Sequence, residues 1–315
     1  MKILNKKQCE RFIDLAVKRL ADYLLTNNLK GITLGISGGI DSAVVAIIGI
    51  KAIEYLQKKN YKAGFKFLFL DCESSSDDFQ KATIFAQQFN FELEQINLSR
   101  WYRSSPLLRL MNKHNPNYKK AQGNIKARLR MIALYQVALL NNYICLDTGD
   151  LSEKWMGFWT RHGDEGDLKI IQLLTKTEVY DLGEYLHLPP AILSSPPGDG
   201  LKVTKNSLAT DQLGLDYIYI EYIISRFIEA GFDYNGSVAQ LKFLKYQELV
   251  VELAKKINQP QLTIKKIIEQ CLKTAYKRKY SDYAPHLLTD RNEFGFFEVG
   301  SQQYNRKYLQ VIEHG

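Results

Sequence analysis

Near the start of the chain, Cys9, Phe12, Ile13, Ala16 and Leu20 recur at helical spacing with charged residues between them. The pattern predicts an amphipathic helix over 6–26, broken by Asn27, Asn28 and Gly31. Short apolar runs at 32–36, 65–70 and 143–146 read as buried strands, and 91–96 as a further strand. Between them, 43–50, 77–89 and 121–142 carry helical patterns, whereas 97–120 is polar and irregular, with Pro106 and Pro116. Residues 147–168 are rich in Gly, Asp and Glu and read as a loop or a short helix. Thr175 and Glu178 have capping-box spacing, so a helix is expected to start there. The prolines at 189, 190, 196 and 197 make 188–207 a loop. Helices are expected over 214–230, 237–257 and 261–278, and the last stretch has no clear period. Short buried strands alternating with helices predict an α/β fold, a doubly wound parallel sheet with helices on both faces and helical C-terminal additions.

Composition narrows the class. The 315 residues, 45% hydrophobic and 24% charged, suit one large α/β domain or two small ones and exclude wholesale disorder. The four cysteines are far apart and form no CxxC pair, which argues against zinc ribbons, iron–sulfur clusters and a disulfide scaffold. A reduced, cytoplasmic protein is expected. No run approaches the ~18 apolar residues of a membrane span, and the N-terminus has no signal-peptide core. The net charge of +8 suggests anionic partners without choosing among nucleic acid, a membrane surface and phosphate-rich small molecules.

The string Ser37-Gly38-Gly39-Ile40-Asp41-Ser42 lies between a predicted strand and a predicted helix. Two glycines let the backbone approach an anion, the helix N-terminus supplies free N–H groups, and two serines add hydroxyls. A tight turn with a helix cap is the plainer alternative. The string is neither GxxxxGK[ST] nor GxGxxG. It resembles the SGGxDS signature of the PP-loop ATP pyrophosphatases, which cleave ATP between the α and β phosphates and activate an oxygen as an adenylate. Such chemistry asks for positioning and charge neutralisation more than covalent help. Pyrophosphate leaves as a multiply charged anion, so N–H groups, Mg²⁺ and cationic side chains are required. Asp41 is one candidate Mg²⁺ ligand, and Glu153, which follows the strand at 143–146, is another. Asp41 would also serve as plain charge compensation at a helix N-terminus.

A second constellation is Gly123-Asn124-Ile125-Lys126-Ala127-Arg128-Leu129-Arg130-Met131, a basic helix segment. It is similar to the GNxKARxRM motif of ammonia-dependent NAD synthetases. Thr148-Gly149 with Ser152-Glu153 and Gly157, then Thr160-Arg161-His162-Gly163-Asp164, Leu174-Thr175-Lys176 and Thr210-Asp211-Gln212-Leu213-Gly214 resemble further segments of that family, in the same order. The resemblance covers 30–230 well and 237–285 loosely. It implies a domain over 1–285, with 286–315 as a C-terminal extension of unknown role.

The resemblance implies that deamido-NAD is adenylated by ATP and Mg²⁺ on its nicotinate carboxylate, and that ammonia then displaces AMP. Ser37, Gly38, Gly39, Asp41 and Ser42 would hold the ATP phosphates, with Thr148, Lys176 and Arg128 also contacting ATP. Asp41 and Glu153 would hold Mg²⁺, and Asp41 and Lys176 would be catalytic. Asn124, Arg128, Arg161, Asp164 and Asp167 would line the dinucleotide site. A homodimer is implied, with neither membrane nor nucleic acid as partner. Lys176 also fits a plain helix start, Arg161 a surface charge, and Cys72 a core cysteine.

The chain departs from the family in its loops. Arg161 stands where a lysine is usual, and the Gly163–Asp164 stretch has lost one residue and gained Glu165. Pro197, with neither hydroxyl nor N–H, stands where the family has Ser or Thr on phosphate, followed by Gly198 and Asp199. Three other readings remain open at this level. They are an AMP-forming ligase acting on another acid such as nicotinate mononucleotide, a tRNA-modifying enzyme, and a non-catalytic nucleotide binder.

Overall fold

The computed structural model describes residues 2–198, 200–201, 203, 208–278 and 287–314. In chain order the first elements are α1 (Lys6–Thr26), β1 (Gly31–Gly35), α2 (Ile40–Lys58), β2 (Gly64–Asp71), α3 (Ser76–Gln88) and β3 (Leu93–Asn97). Next come α4 (Ser99–Ser104), a 3-10 turn at Pro106–Leu110, α5 (Tyr118–Asn141), β4 (Tyr143–Asp147), α6 (Leu151–Met156) and β5 (Leu168–Lys169). Then follow α7 (Lys176–Tyr185), α8 (Pro190–Leu193), α9 (Ala209–Leu213), α10 (Tyr217–Glu229), α11 (Leu244–Lys256), α12 (Gln261–Lys273), α13 (Ala275–Arg278) and α14 (Gln302–His314).

The strands form one parallel sheet in the order β3-β2-β1-β4-β5. Side chains alternate across it as period two requires. Phe67 and Phe69 of β2 join the core beneath α1, α2 and α7. Leu68 and Leu70 face the other way, packing with Cys145, Leu129, Met131 and Leu134 beneath α5. Helices on both faces explain why the strands read as continuous apolar runs.

The chain winds from β1 outward to β3, then crosses back through α5 to place β4 on the other side of β1. The strand order therefore reverses between β1 and β4, and ligands of doubly wound sheets bind at the carboxyl ends of such strands. The glycine loop follows β1 there, and Thr148 to Asp150 follow β4.

Several expectations need correction. The stretch 97–120 is not irregular throughout: α4 and the 3-10 turn occupy much of it, and α5 begins at Tyr118. The α4 helix forms because Tyr102 joins the cluster beneath α5 and the Ser99 hydroxyl accepts from the Glu73 N–H at 2.9 Å, a tertiary cause that a polar sequence hides. β5 was not expected; with two residues it is too short to show a period. Within 188–207, Pro190 starts a short helix, where its missing N–H would be unpaired anyway. Asp199 lies outside the described residues. The tail is not without period: α14 buries Tyr304, Asn305 and Tyr308 against α10. No described helix is long and apolar enough to cross a membrane.

Candidate active site

Four charged side chains meet at the switch point. Lys176 is the first residue of α7 and is 2% exposed. Its Nζ lies 2.6 Å from Asp41 Oδ2, 2.9 Å from Asp150 Oδ2 and 2.9 Å from Glu153 Oε1. The Tyr217 ring centroid is 5.6 Å from the same nitrogen. Sequence analysis named Asp41, Glu153 and Lys176, and the fold brings these three together. Asp41 comes from the first turn of α2, Glu153 from α6 and Lys176 from α7. Burial alone would lower the Lys176 pKa, but Asp150, Asp41 and Glu153 outweigh it and hold the ammonium well above its ordinary range. Burial raises Asp150 to about 6 and Glu153 well above the usual carboxylate value, against the pull of Lys176.

Asp150 was missed. It caps α6, accepting from Glu153 N–H at 2.8 Å, while Glu153 reaches back to the Asp150 N–H at 3.4 Å. The D-x-x-E spacing of this capping box is visible in the sequence. Asp41 Oδ1 is buried without a hydrogen-bond partner among the described residues. One cation facing three carboxylates leaves negative charge for a further cation. Among the described residues no three His, Cys, Asp or Glu side chains are arranged to hold a metal by themselves. Two carboxylates completed by water and phosphate oxygens is the ligand set Mg²⁺ prefers.

The glycine loop is tied internally. Ser37 and Ser42 hydroxyls are 3.1 Å apart, the Ser42 hydroxyl donates to the Gly39 carbonyl at 3.1 Å, and the Gly39 N–H donates to Ser37 Oγ at 3.2 Å. Gly38 has φ +84°, and a Cβ there would sit 2.5 Å from the Asp78 carbonyl oxygen. Gly39 precedes α2 and makes no side-chain cap. The first-turn N–H groups of α2 are therefore left for an anion.

A second cluster lies on α5. Thr160 Oγ1 donates to Asn124 Oδ1 at 2.8 Å, and Arg128 donates from Nε and Nη2 to the Arg161 carbonyl at 3.3 and 3.2 Å. Asp164 accepts from the Thr160 N–H at 2.7 Å. These contacts join Asn124, Arg128, Arg161 and Asp164 through one loop. Two other basic residues of this helix serve the scaffold. Lys126 pairs with Glu73 at 2.8 Å, and Arg130 donates to the Leu70 and Gly200 carbonyls, each at 3.2 Å.

Asp167 stands apart from that cluster, with its Oδ2 accepting from the Cys145 N–H of β4 at 3.2 Å. Asp147, unremarked in the sequence, accepts from Gly149 and Gly166 N–H groups and pins the loop to the end of β4. A Cβ on Gly166 would lie 2.6 Å from the Asp147 nitrogen, so only glycine fits this approach. Thr148 directly follows β4. Pro197 offers its carbonyl to Ala209 N–H at 2.9 Å. The nearby Ser195 hydroxyl accepts from Lys81 Nζ at 2.8 Å.

Glu221 of α10 was also missed. It is fully buried, and its Oε1 accepts from Ser152 Oγ at 2.6 Å and from the Thr177 N–H at 3.2 Å. Burial raises its pKa to about 8 against those donors. All four cysteines are buried and free. The sequence around Glu221 is apolar and aromatic and gave no sign that an acid there would be partnered.

The family model for NAD synthase matches residues 12–281. A curated NH(3)-dependent NAD(+) synthetase from Syntrophomonas wolfei subsp. wolfei is 38% identical over 174 residues, covering 54% of this chain and 67% of the relative. One from Saccharolobus solfataricus is 35% identical over 224 residues, covering 69% and 73%. Among solved structures, the NMN synthetase from Francisella tularensis superposes with a TM-score of 0.60 at 26% identity, over 79% of this chain and 93% of that one.

Proposed function

The chain belongs to the NAD synthase family, and from that premise we propose that the cluster around Lys176 is where it amidates deamido-NAD, with ATP as co-substrate and ammonia as nitrogen donor. The observation that carries the assignment is the meeting of Asp41, Asp150, Glu153 and Lys176 beside the uncapped N-terminus of α2.

In the first step a nicotinate carboxylate oxygen attacks the α-phosphorus of ATP, and the bond to the bridging oxygen breaks to release pyrophosphate. The first-turn N–H groups of α2 would bind the departing phosphates, joined by the Gly39 N–H and the Ser37 and Ser42 hydroxyls as these exchange their contacts within the loop for phosphate oxygens. Asp41 and Glu153 fit Mg²⁺, as the unpartnered Asp41 Oδ1 indicates. Bound Mg²⁺ would neutralise phosphate charge. Lys176 holds both carboxylates in place and stays protonated, since its carboxylate neighbours favour the charged form. In the second step ammonia attacks the acyl carbon, AMP leaves with the bonding electrons, and one proton is lost from nitrogen. Asn124, Arg128, Arg161 and Asp164 would hold the dinucleotide along α5. The Asp167 carboxylate, bonded to the β4 backbone, would support this loop from beneath. Thr148, after β4, would contact ATP.

The protein is proposed to work in the cytoplasm as a homodimer. Ile132, Tyr135, Leu139 and Leu140 are 52%, 39%, 78% and 73% exposed and share one face of α5. Such a face on the helix that carries Asn124 and Arg128 suits a second copy.

The test is turnover. Purified protein is incubated with ATP, Mg²⁺, ammonium and deamido-NAD, with nicotinate mononucleotide as the control acid because one structural relative is an NMN synthetase. Equal amounts of AMP and NAD are expected. Amidation of the mononucleotide alone would reassign the acid, and no AMP with either would overturn the reading.

A further inference from the structure

The segment 287–314 lies beyond the span matched by the family model and reaches the helix start that carries Lys176. Thr175 caps α7, and Glu178 completes the box by accepting from the Thr175 N–H at 2.9 Å. Both cap residues are held by the C-terminal segment. The Tyr308 and Thr175 hydroxyls share a hydrogen bond. Arg291 Nη1 donates to Glu178 Oε2 at 3.0 Å, Nη2 pairs with Glu178 Oε1, and Nη1 also donates to the Leu173 carbonyl. Tyr304 stacks on Tyr308 at 4.3 Å, and the Arg291 guanidinium lies 5.7 Å from the Tyr304 ring centroid. Thr175, Glu178, Arg291, Tyr304 and Tyr308 are all buried, so water is poorly placed to replace any of these contacts.

We propose that residues 287–314 serve the reaction by fixing the start of α7, with Tyr308 and Arg291 as positioning residues for Lys176. This rests on the role proposed above for Lys176, which holds Asp41 and Glu153 in place. The lysine is the first helical residue, so the path of its stem toward Asp41 follows the backbone angles at Thr175 and Lys176. The Ser152 hydroxyl of α6 accepts the Lys176 N–H at 3.0 Å, and Glu221 of α10, the helix on which α14 packs, accepts the Thr177 N–H. The helix start is thus held by two sets of contacts, and release of the C-terminal set leaves its end less constrained. Displacing Asp41 and Glu153 with the lysine by about 1 Å would cost up to about 10²-fold in rate.

The experiment uses the full chain and the variants Tyr308→Phe, Arg291→Lys and Lys176→Ala, with Tyr308→Phe also made in the Lys176→Ala background. Thermal midpoints, kcat, KM for ATP and deamido-NAD, and single-turnover AMP formation are measured. Tyr308→Phe is expected to keep its midpoint within a few degrees, lose about tenfold in kcat and hold both KM values within about twofold. In the Lys176→Ala background the same change is expected to add nothing. Arg291→Lys, which keeps a cation beside Glu178 but loses the fork, is expected to lose kcat in the same way. An equal loss in both backgrounds, or a lowered midpoint with kcat intact in both Tyr308→Phe and Arg291→Lys, would overturn the proposal. Wild-type kcat in Lys176→Ala would remove the role of the lysine itself, a separate result that overturns both readings.

Discussion

At the scale of single residues, the site is a problem of charge. Lys176 faces three carboxylates, and Asp150 does two things at once: it caps α6 and it adds negative charge beside Nζ. Asparagine caps a helix as well as aspartate does. Asp150→Asn is therefore expected to leave stability near wild type while AMP formation falls about tenfold, as the field on Lys176 changes. Parallel melting and single-turnover assays separate the two jobs; a loss of stability matching the loss of rate would reduce Asp150 to a cap. Glu221 makes a second case. Its pKa is raised to about 8 in the fold by burial, against 4.5 for a free glutamate. A raised carboxylate favours folding while protonated, so its contribution is fully present below pH about 4.5 and is lost as pH rises through about 8. Glu221→Gln stays neutral throughout. The stability of this variant relative to wild type is expected to rise between pH 5 and pH 8, by chemical denaturation at each pH. A difference independent of pH would show that Glu221 is ionised across that range.

At the scale of elements, the glycine loop was legible because its geometry demands particular residues. Gly38 has φ +84° and no room for a Cβ beside the Asp78 carbonyl. Alanine in the left-handed region costs about 1–2 kcal/mol before any clash. Gly38→Ala is expected to lower the unfolding midpoint and raise KM for ATP together, and wild-type KM in a folded variant would separate the turn from the phosphate site. The first helix was legible because its burial follows a helical period, and β1, β2 and β4 because each is a short apolar run buried on both faces. β5, α4 and α14 were not. A two-residue strand carries no period, and α4 and α14 are amphipathic only toward partners distant in sequence, the cluster beneath α5 and the helix α10. Within the site, Asp41, Glu153 and Lys176 announced themselves by motif. Asp150 looked like part of a loop, and Glu221 sat in an aromatic helix whose buried acid is explained only once Ser152 and Thr177 arrive beside it.

At the scale of the whole molecule, the proposed homodimer follows from a face that folding leaves open. α5 covers one side of the sheet with Leu129, Met131 and Leu134, yet turns Ile132, Leu139 and Leu140 outward. Leu139 and Leu140 are 78% and 73% exposed, an apolar step that a lone subunit would leave in water. The same helix carries Asn124 and Arg128, and the Tyr135 hydroxyl on the outward face donates to the Glu165 carbonyl of the loop proposed to hold the dinucleotide. Pairing across α5 would therefore stiffen the loop that holds Arg161 and Asp164. Leu139→Glu with Leu140→Glu places like charges opposite each other in a two-fold contact and removes nothing from either subunit's own core. The doubly substituted protein is expected to elute as a monomer with its fold intact, and to show a raised KM for deamido-NAD while KM for ATP changes little. The proposed ATP site draws chiefly on side chains of α2, α6 and α7, which lie outside the substituted turn of α5. A variant that remains a dimer would move the interface elsewhere, whereas a monomer with both KM values unchanged would show that each subunit holds its dinucleotide alone.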